Sequence, residues 1–309
     1  MPSQPSGTVP VIAVVGPTAT GKSGLAIELA LRLHGEVINA DALQLYRGMD
    51  IGTAKVTTAE RRDVPHHLLD ELDVTQEASL AAYQRRARQV RDDLSVRGVV
   101  PIVAGGSGLY VRALLDRLEI PPADPAVRAR LEDEGARLGA AVMHARLAAA
   151  DPQAAANILP GNLRRVIRAL EVIDLTGRPF SATLPVPEYD VPAVQIGLRA
   201  PRPVLDGRIG ARVDRMWAGG LVAETEGLVA AGLREGRTAS RALGYAQVLR
   251  QLDGELTDAE ARADTAQATR RFARRQESWF RRDTRVHWLE HDDPELVGKA
   301  ERLARRLTP

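Results

Sequence analysis

The run Gly16-Pro17-Thr18-Ala19-Thr20-Gly21-Lys22-Ser23 constrains this chain more than any other stretch of it. It matches the pattern G-x-x-x-x-G-K-[ST], and its flanks are those that separate a working loop from an incidental turn. Before it, Val11–Val15 is a short unbroken apolar run, the mark of a buried strand. After it, residues 24–33 carry Leu25, Leu29, Ala30 and Leu33 at helical spacing. Strand, glycine loop and helix together make an anion cradle. The glycines let backbone N–H groups close around phosphate oxygens, the helix N-terminus adds a favourable dipole, Lys22 supplies positive charge and Ser23 a ligand for magnesium.

The same alternation continues downstream. A second strand is expected at 36–38, running into Asn39-Ala40-Asp41, and a third at 99–103, running into Ala104-Gly105-Gly106-Ser107-Gly108, with a helix at 80–94 between them. This is the signature of an α/β chain: a P-loop NTPase-like, doubly wound parallel sheet that binds ligands at the carboxyl ends of its strands. From 119 to 188 the character changes to helix-like segments at 125–147 and 162–176 with Pro-bearing breaks and no strand-like run. Three segments follow: 1–118 as the first part of the core, 119–188 as a helical insertion, and 189–309 as the core resumed. The last has a strand at 194–198, helices at 203–218, 221–231 and 258–282, and a final strand at 286–289.

With 309 residues, 44% of them hydrophobic, the chain can bury a full core, and the absence of cysteine excludes disulfides, zinc–thiolate sites and thiol nucleophiles. No run approaches the roughly 18 apolar residues of a membrane span, and the start MPSQPSGTVP is a polar Pro/Ser tail with no signal-peptide pattern. A soluble cytoplasmic protein with no membrane partner is expected, acting as a monomer. Net charge is only +2, from 42 basic and 40 acidic residues, so distribution matters more than the sum. Most of the basic residues are arginine, whose planar fork suits phosphate. Between Arg270 and Arg285 seven arginines face Glu277 and Asp283, a local excess of five positive charges. The segment 269–282 interleaves Arg270, Arg271, Arg274 and Arg275 with Phe272, Trp279 and Phe280. Two of those aromatics are expected in the core, with the arginines forming a stripe for nucleic-acid phosphates. His66 and His67 are adjacent but lack a third ligand at metal spacing, which assigns them structural roles.

Most phosphate-loop proteins act on nucleotides through a carboxylate at a strand end near the metal. Here the third strand ends in Ala104-Gly105-Gly106, with none. The free carboxylate is Asp41, at the end of the second strand and facing the same crevice, where it can serve an acceptor as general base or cap the following turn. The loop from Gly105 to Gly108 admits close approach of a ligand, and the Ser107 hydroxyl can bond either a diphosphate or an acceptor base. Arg208 and Arg212, four residues apart, share a helix face that either clamps a departing diphosphate or is solvated, with Asp214 and Arg215 expected to turn elsewhere. A small-molecule or nucleoside kinase would need an adenine platform and an arginine-rich lid as well. A nucleic-acid-binding NTPase would need the strand-end carboxylate that Ala104-Gly105 does not supply.

Several separated strings then coincide: GPTATGKS at 16–23, INADALQLYRGMDIGTAK at 38–55, HHLLD at 66–70, AGGSGLY at 104–110, RRVIRALEV at 164–172, ARVDRMWAGGL at 211–221, SRALGY at 240–245 and ATRRFARRQESWF at 268–280. In this order and spacing the chain resembles the tRNA dimethylallyltransferase family over nearly its whole length. The resemblance implies a prenyl transfer from dimethylallyl diphosphate to the exocyclic amine of the adenine 3′ of the anticodon in tRNA. It places the diphosphate on Thr18 to Ser23, magnesium at Ser23, and the general base at Asp41. Asp41, Ala42, Leu43 and Gln44 would contact tRNA, as would Ser107, Arg128, Arg164, Arg165, Arg168, Ser240, Arg241, Gly244, Tyr245 and the arginine stripe with Arg274, so that the helical insertion becomes tRNA-binding. Ser107 stands where many relatives carry threonine and keeps the hydroxyl. Arg208 and Arg212 fall in the diphosphate-side arginine segment, Arg212 being the favoured one. Free adenylate is the nearest alternative acceptor, but it would leave the insertion and the arginine stripe without a role.

Overall fold

The computed structural model describes residues 9–183 and 187–306, so most of the expected N-terminal polar tail, residues 1–8, lies outside the described residues. The chain divides into two compact units, Met1–Asp116 with Tyr189–Pro309, and Arg117–Glu188. The larger unit begins with β1 (Val11–Val15), α1 (Lys22–Leu33), β2 (Gly35–Asn39), α2 (Thr58–Arg61), β3 (His66–His67), α3 (Leu80–Val96), β4 (Val100–Gly105) and α4 (Gly108–Leu115). The smaller unit holds α5 (Pro125–Leu138), α6 (Ala140–Ala150), α7 (Pro152–Asn157) and α8 (Leu163–Thr176). The larger unit resumes with β5 (Ala193–Arg199), α9 (Arg202–Ala218), α10 (Leu221–Ala230), α11 (Tyr245–Leu252), α12 (Asp258–Arg281), β6 (Val286–Glu290) and α13 (Leu296–Arg305).

The six strands run in the order β3-β2-β4-β1-β5-β6, and every pairing is parallel. Parallel neighbours need crossover connections, which the helices supply. β1 is buried along its whole length and β5 at all but its last residue, the continuous apolar pattern of strands covered on both faces. The expected strands are all present, with ends that shift by at most one or two residues. β3 went unforeseen because two residues are too short to carry a period-2 signal; it pairs with Val37 and Ile38 at the sheet edge.

One core lies between the sheet and α1 with α13, where Leu25, Leu29, Ile102 and Ile196 pack with Ala300 and Ala304. A second gathers Tyr46, Met49, Trp217, Leu221, Tyr245 and Val248 from the β2–α2 connection and the helices that follow β5. α12, whose 24 residues start at a Thr257–Glu260 capping box, packs against α9 and α11.

The smaller unit has its own core of Leu131, Met143, Leu147, Val166 and Leu170. The single helix expected at 125–147 is two, broken at Gly139, which caps both. Asp124 and Asp151 accept hydrogen bonds from the first turns of α5 and α7, each followed by Pro at the first helical position. Glu171 is fully buried and accepts from the Asp124 N–H (3.0 Å), Arg128 (2.6 Å) and Arg168 (2.8 Å). Burial pushes this carboxyl up, but the hydrogen bonds from the two guanidiniums prevail and hold it below the usual range.

Where β1 enters its loop, Gly16 has φ 130°, and a Cβ there would lie 2.5 Å from the Leu198 carbonyl oxygen of β5. Gly16→Ala is expected to lower stability by about 2 kcal/mol or more, from positive-φ strain and a contact with backbone that cannot yield. Chemical denaturation checks this; a midpoint equal to that of the parent would mean the loop relaxes freely.

Candidate active site

The phosphate loop is held from several sides. Gly21, at the N-cap of α1, adopts φ 95°, and Thr20 Oγ1 donates to the Pro17 carbonyl at 2.8 Å. Gln276 of α12 ties this loop to the one after β4: its Oε1 accepts from the Thr18 N–H and its Nε2 donates to the Gly106 carbonyl, both at 2.9 Å. Gln276 is buried, so each bond replaces water that the side chain has lost. No sequence pattern singled it out, because its partners stand 258 and 170 residues away.

Asp41 is fixed by its own neighbourhood. The buried Asn39 side chain accepts from the Asp41 N–H and donates to the Asp41 and Leu68 carbonyls, each at 2.9 Å, while Tyr83 Oη donates to the Asn39 carbonyl. Asp41 Oδ1 accepts from the Leu43 N–H at 3.0 Å, so the capping role and an open oxygen coexist. Burial raises the Asp41 carboxyl above its ordinary range, partly offset by the Leu43 N–H and by Lys22. Lys22 donates to the Pro17 carbonyl at 2.6 Å and is pushed down to about 7 by burial first and then by the Arg212 charge, against the pull of Asp41. Both side chains line the cavity and meet solvent through it.

Two cavities meet at these residues. The larger, about 610 Å³, is lined by Thr18 to Ser23 apart from Thr20, and by Asp41, Gln44, Thr53, Gly105, Gly106, Arg212 and Arg215. The smaller, about 340 Å³, shares Thr18, Asp41, Thr53, Arg212, Met216 and Phe272, and adds Leu43, Arg241, Leu243 and Arg275. Arg212 Nη1 donates to Thr18 Oγ1 at 3.1 Å, and its guanidinium is held below its usual range by burial and then by Arg215. Ser23, exposed in the first turn of α1, presents a hydroxyl oxygen to the larger cavity. That fits magnesium, a hard cation that takes few protein oxygens and shares the rest of its shell with water and phosphate. Among the described residues no group of three His, Asp or Glu side chains forms a metal cage.

Several expectations need correction. Arg208 is exposed on α9 and lines neither cavity, whereas Arg215, expected to turn away, lines the larger one, since three residues on from Arg212 is also the same helical face. Ser107 is the N-cap of α4 and lines neither cavity, although Gly105 and Gly106 beside it do line the larger. Tyr245, expected at the tRNA, is fully buried with its hydroxyl bonded to Glu224, and Gly244 is buried too; Arg241 in the same segment is exposed at the smaller cavity, with Ser240 half-buried. Of the three aromatics on α12 only Phe280 is in the core: Phe272 lines both cavities and Trp279 is 43% exposed.

The arginines sort by partner. Arg271 pairs with Asp264, Arg275 stacks on Phe272, Arg281 pairs with Glu277, and Arg285 grips Asp116 and Asp283. Arg274 is exposed with no ion pair among the described residues, as are Arg164 and Arg165 in the smaller unit, where Arg128 and Arg168 are committed to Glu171.

A family model described as IPP transferase matches residues 44–283. The chain is 65% identical over 295 residues to a tRNA dimethylallyltransferase of Thermobifida fusca, covering 94% of this chain and 92% of that one, and 64% identical over 295 residues to one of Salinispora arenicola, covering 96% and 86%. Among solved structures it is similar to a tRNA isopentenylpyrophosphate transferase of Bacillus halodurans, with 40% identity, a TM-score of 0.72 and 96% of each chain covered. It is also similar to a eukaryotic dimethylallyltransferase described as acting on tRNA, with 27% identity, a TM-score of 0.80, and 93% of this chain and 75% of that one covered.

A lysine at about 7 makes anion capture pH-dependent. Below that pH Lys22 is charged and ready; above it a bound anion must draw in a proton, so affinity for pyrophosphate is expected to fall by up to about tenfold per pH unit as pH rises. Calorimetric titration between about pH 6 and pH 9 checks this against Lys22→Arg, which stays charged throughout that range. The arginine variant should lose the smaller share, and equal slopes in the two proteins would remove Lys22 as the cause.

Proposed function

This chain belongs to the IPP transferase family, and on that footing we propose that it transfers a dimethylallyl group from dimethylallyl diphosphate to the exocyclic amine of the adenine 3′ of the anticodon in tRNA, releasing diphosphate. The observation that carries the reading is the joining of two cavities at Asp41, Thr18 and Arg212. One cavity holds the phosphate loop and its cations; the other has an apolar wall of Leu43, Leu243, Met216 and Phe272 beside Arg241 and Arg275. A diphosphate suits the first, and an unstacked base with cationic groups near its phosphates suits the second.

The step needs no phosphoryl transfer. The adenine nitrogen forms a bond to the donor's allylic carbon while the carbon–oxygen bond breaks, and that electron pair leaves on the diphosphate. Lys22 and Arg212, aimed into the cavity before the donor binds, stabilise the charge growing on the leaving oxygens. Magnesium, held through Ser23 and the diphosphate, would add Lewis-acid neutralisation when bound. Asp41 takes the proton that the amine loses. Burial raises its proton affinity and so makes it a better base than a free carboxylate, with the Leu43 N–H and the Lys22 charge partly offsetting that rise. The missing carboxylate at the end of β4 is then understandable, since no attacking water or γ-phosphate has to be organised there.

Labelled dimethylallyl diphosphate and magnesium, incubated with unmodified tRNA bearing that adenine and in parallel with AMP and with ATP, test the acceptor. Label in tRNA alone is expected; label in AMP would replace it with a free-nucleotide acceptor, and consumption of ATP without label would overturn prenyl transfer. In the same assay Asp41→Ala should cut turnover by about 10²-fold or more, the scale of a lost general base, with tRNA affinity largely kept; unchanged turnover would take Asp41 out of the chemistry. For Arg274→Ala, weaker tRNA binding with a salt slope shallower by about 1 is expected. An identical slope would make Arg274 plain solvated surface.

A further inference from the structure

The connection from β2 to α2, residues 40–57, carries Asp41, Gln44, Ile51, Thr53 and Lys55 into the larger cavity, yet it has no regular secondary structure to stiffen it. Its ends are anchored. Asn39 holds Asp41, and the buried Lys55 amine donates to Asp50 Oδ1 and Asp70 Oδ1 at 2.6 Å and to the Tyr46 carbonyl at 2.9 Å. The middle is held by one carboxylate from elsewhere in the chain. Glu224 of α10 accepts from three successive backbone N–H groups, those of Asp50 (3.3 Å), Ile51 (2.9 Å) and Gly52 (3.3 Å). Tyr245, at the start of α11, donates its hydroxyl to Glu224 Oε1 at 2.6 Å and accepts from the Gly52 N–H at 3.2 Å. Its ring lies so close to Gly52 that a Cβ there would sit 2.4 Å from it.

We infer that Glu224 and Tyr245 form a positioning pair, which sets the 50–53 segment as the wall shared by both cavities and so fixes the acceptor's approach to Asp41. The inference rests on the prenyl-transfer reading for what approaches, but on these contacts for what is held. Charge-assisted bonds to three adjacent N–H groups define the path of that backbone more narrowly than side-chain packing does. Gly52 and Thr53 line the smaller cavity, and Gln44 Nε2 reaches the Thr53 carbonyl at 3.2 Å, so a shift at 50–53 passes to the acceptor wall. The phosphate loop has its own supports in Gln276, Thr20 and Arg212, none of which belongs to the 40–57 segment. Tyr245 thereby acts on the acceptor from inside the protein, through the loop it holds.

The test uses Tyr245→Phe and Glu224→Gln, which keep shape and remove the hydroxyl or the charge, together with their double variant, all confirmed folded by thermal melting. In each single variant kcat/KM for tRNA is expected to fall at least about tenfold, the scale of a slightly misplaced reactant, while pyrophosphate affinity stays within about twofold. The double variant should be little worse than the worse single one, because the two residues act as a unit. Amide hydrogen exchange at Ile51 and Gly52 should quicken in all three. Unchanged kcat/KM for tRNA, or an equal loss of pyrophosphate affinity, overturns the inference, as does unchanged exchange. If the parent protein labels no tRNA, the prenyl-transfer reading has failed, and exchange read beside pyrophosphate affinity still decides whether the pair holds the segment.

Discussion

Lys22 and Arg212 crowd like charges into one cavity beside the Asp41 carboxylate, and the loops that line it are held around that crowding. Burial pushes the lysine down, and a second cation presses it the same way; burial also raises the proton affinity of Asp41. Neither sign of charge is well served by the protein itself. On the prenyl-transfer reading a bound diphosphate would reverse this, its oxygens restoring favourable partners to cations already desolvated. The cost of that arrangement is met in folding, so it need not be met again when charge moves onto the leaving group.

Such an arrangement survives only if the surrounding dipoles cannot turn. Asn39 and Gln276 do this with side-chain amides, groups that donate and accept at once and so can bind two backbone segments together. Asn39 works within the β2 strand end. Gln276 works across the chain, bringing the last long helix onto the loops after β1 and β4, so that a helix far along the sequence completes a crevice that the first strands open. Both amides are buried with their hydrogen bonds made, which is the condition under which polar groups inside a protein specify one geometry.

What could be read from the sequence divides along the same line. The phosphate loop was legible because strand, glycines, lysine and helix lie within one short run, and Asp41 because it ends an apolar strand. The parallel sheet followed from alternation. β3 was not legible, being two residues long, and neither was the break at Gly139, since a glycine within an Ala- and Leu-rich run carries no mark of which way the backbone will turn. Gln276 and Glu224 were out of reach for a different reason: their meaning lies in contacts spanning 170 to 258 residues. Tyr245 was expected at the tRNA and is buried, and of the three α12 aromatics, two of which were expected in the core, only Phe280 lies there, because an aromatic near arginines reads alike as core or surface until the helix face is known.

The arginines show why composition could not settle the nucleic-acid question. A chain with 42 basic and 40 acidic residues has nearly enough carboxylates to neutralise every cation, so the charge offered to a polyanion depends on which guanidiniums are left over. Arg128 and Arg168 hold Glu171, and Arg285 holds Asp116 and Asp283; their charge is spent on building the fold. Arg164, Arg165 and Arg274 stand exposed with no ion pair among the described residues. Counterion release rewards these free cations, since a paired guanidinium must first give up its carboxylate before it gains a phosphate. The arginine density of the sequence thus overstates the charge free to meet a polyanion, in a chain whose net charge is almost nil, because the paired guanidiniums must first give up their carboxylates.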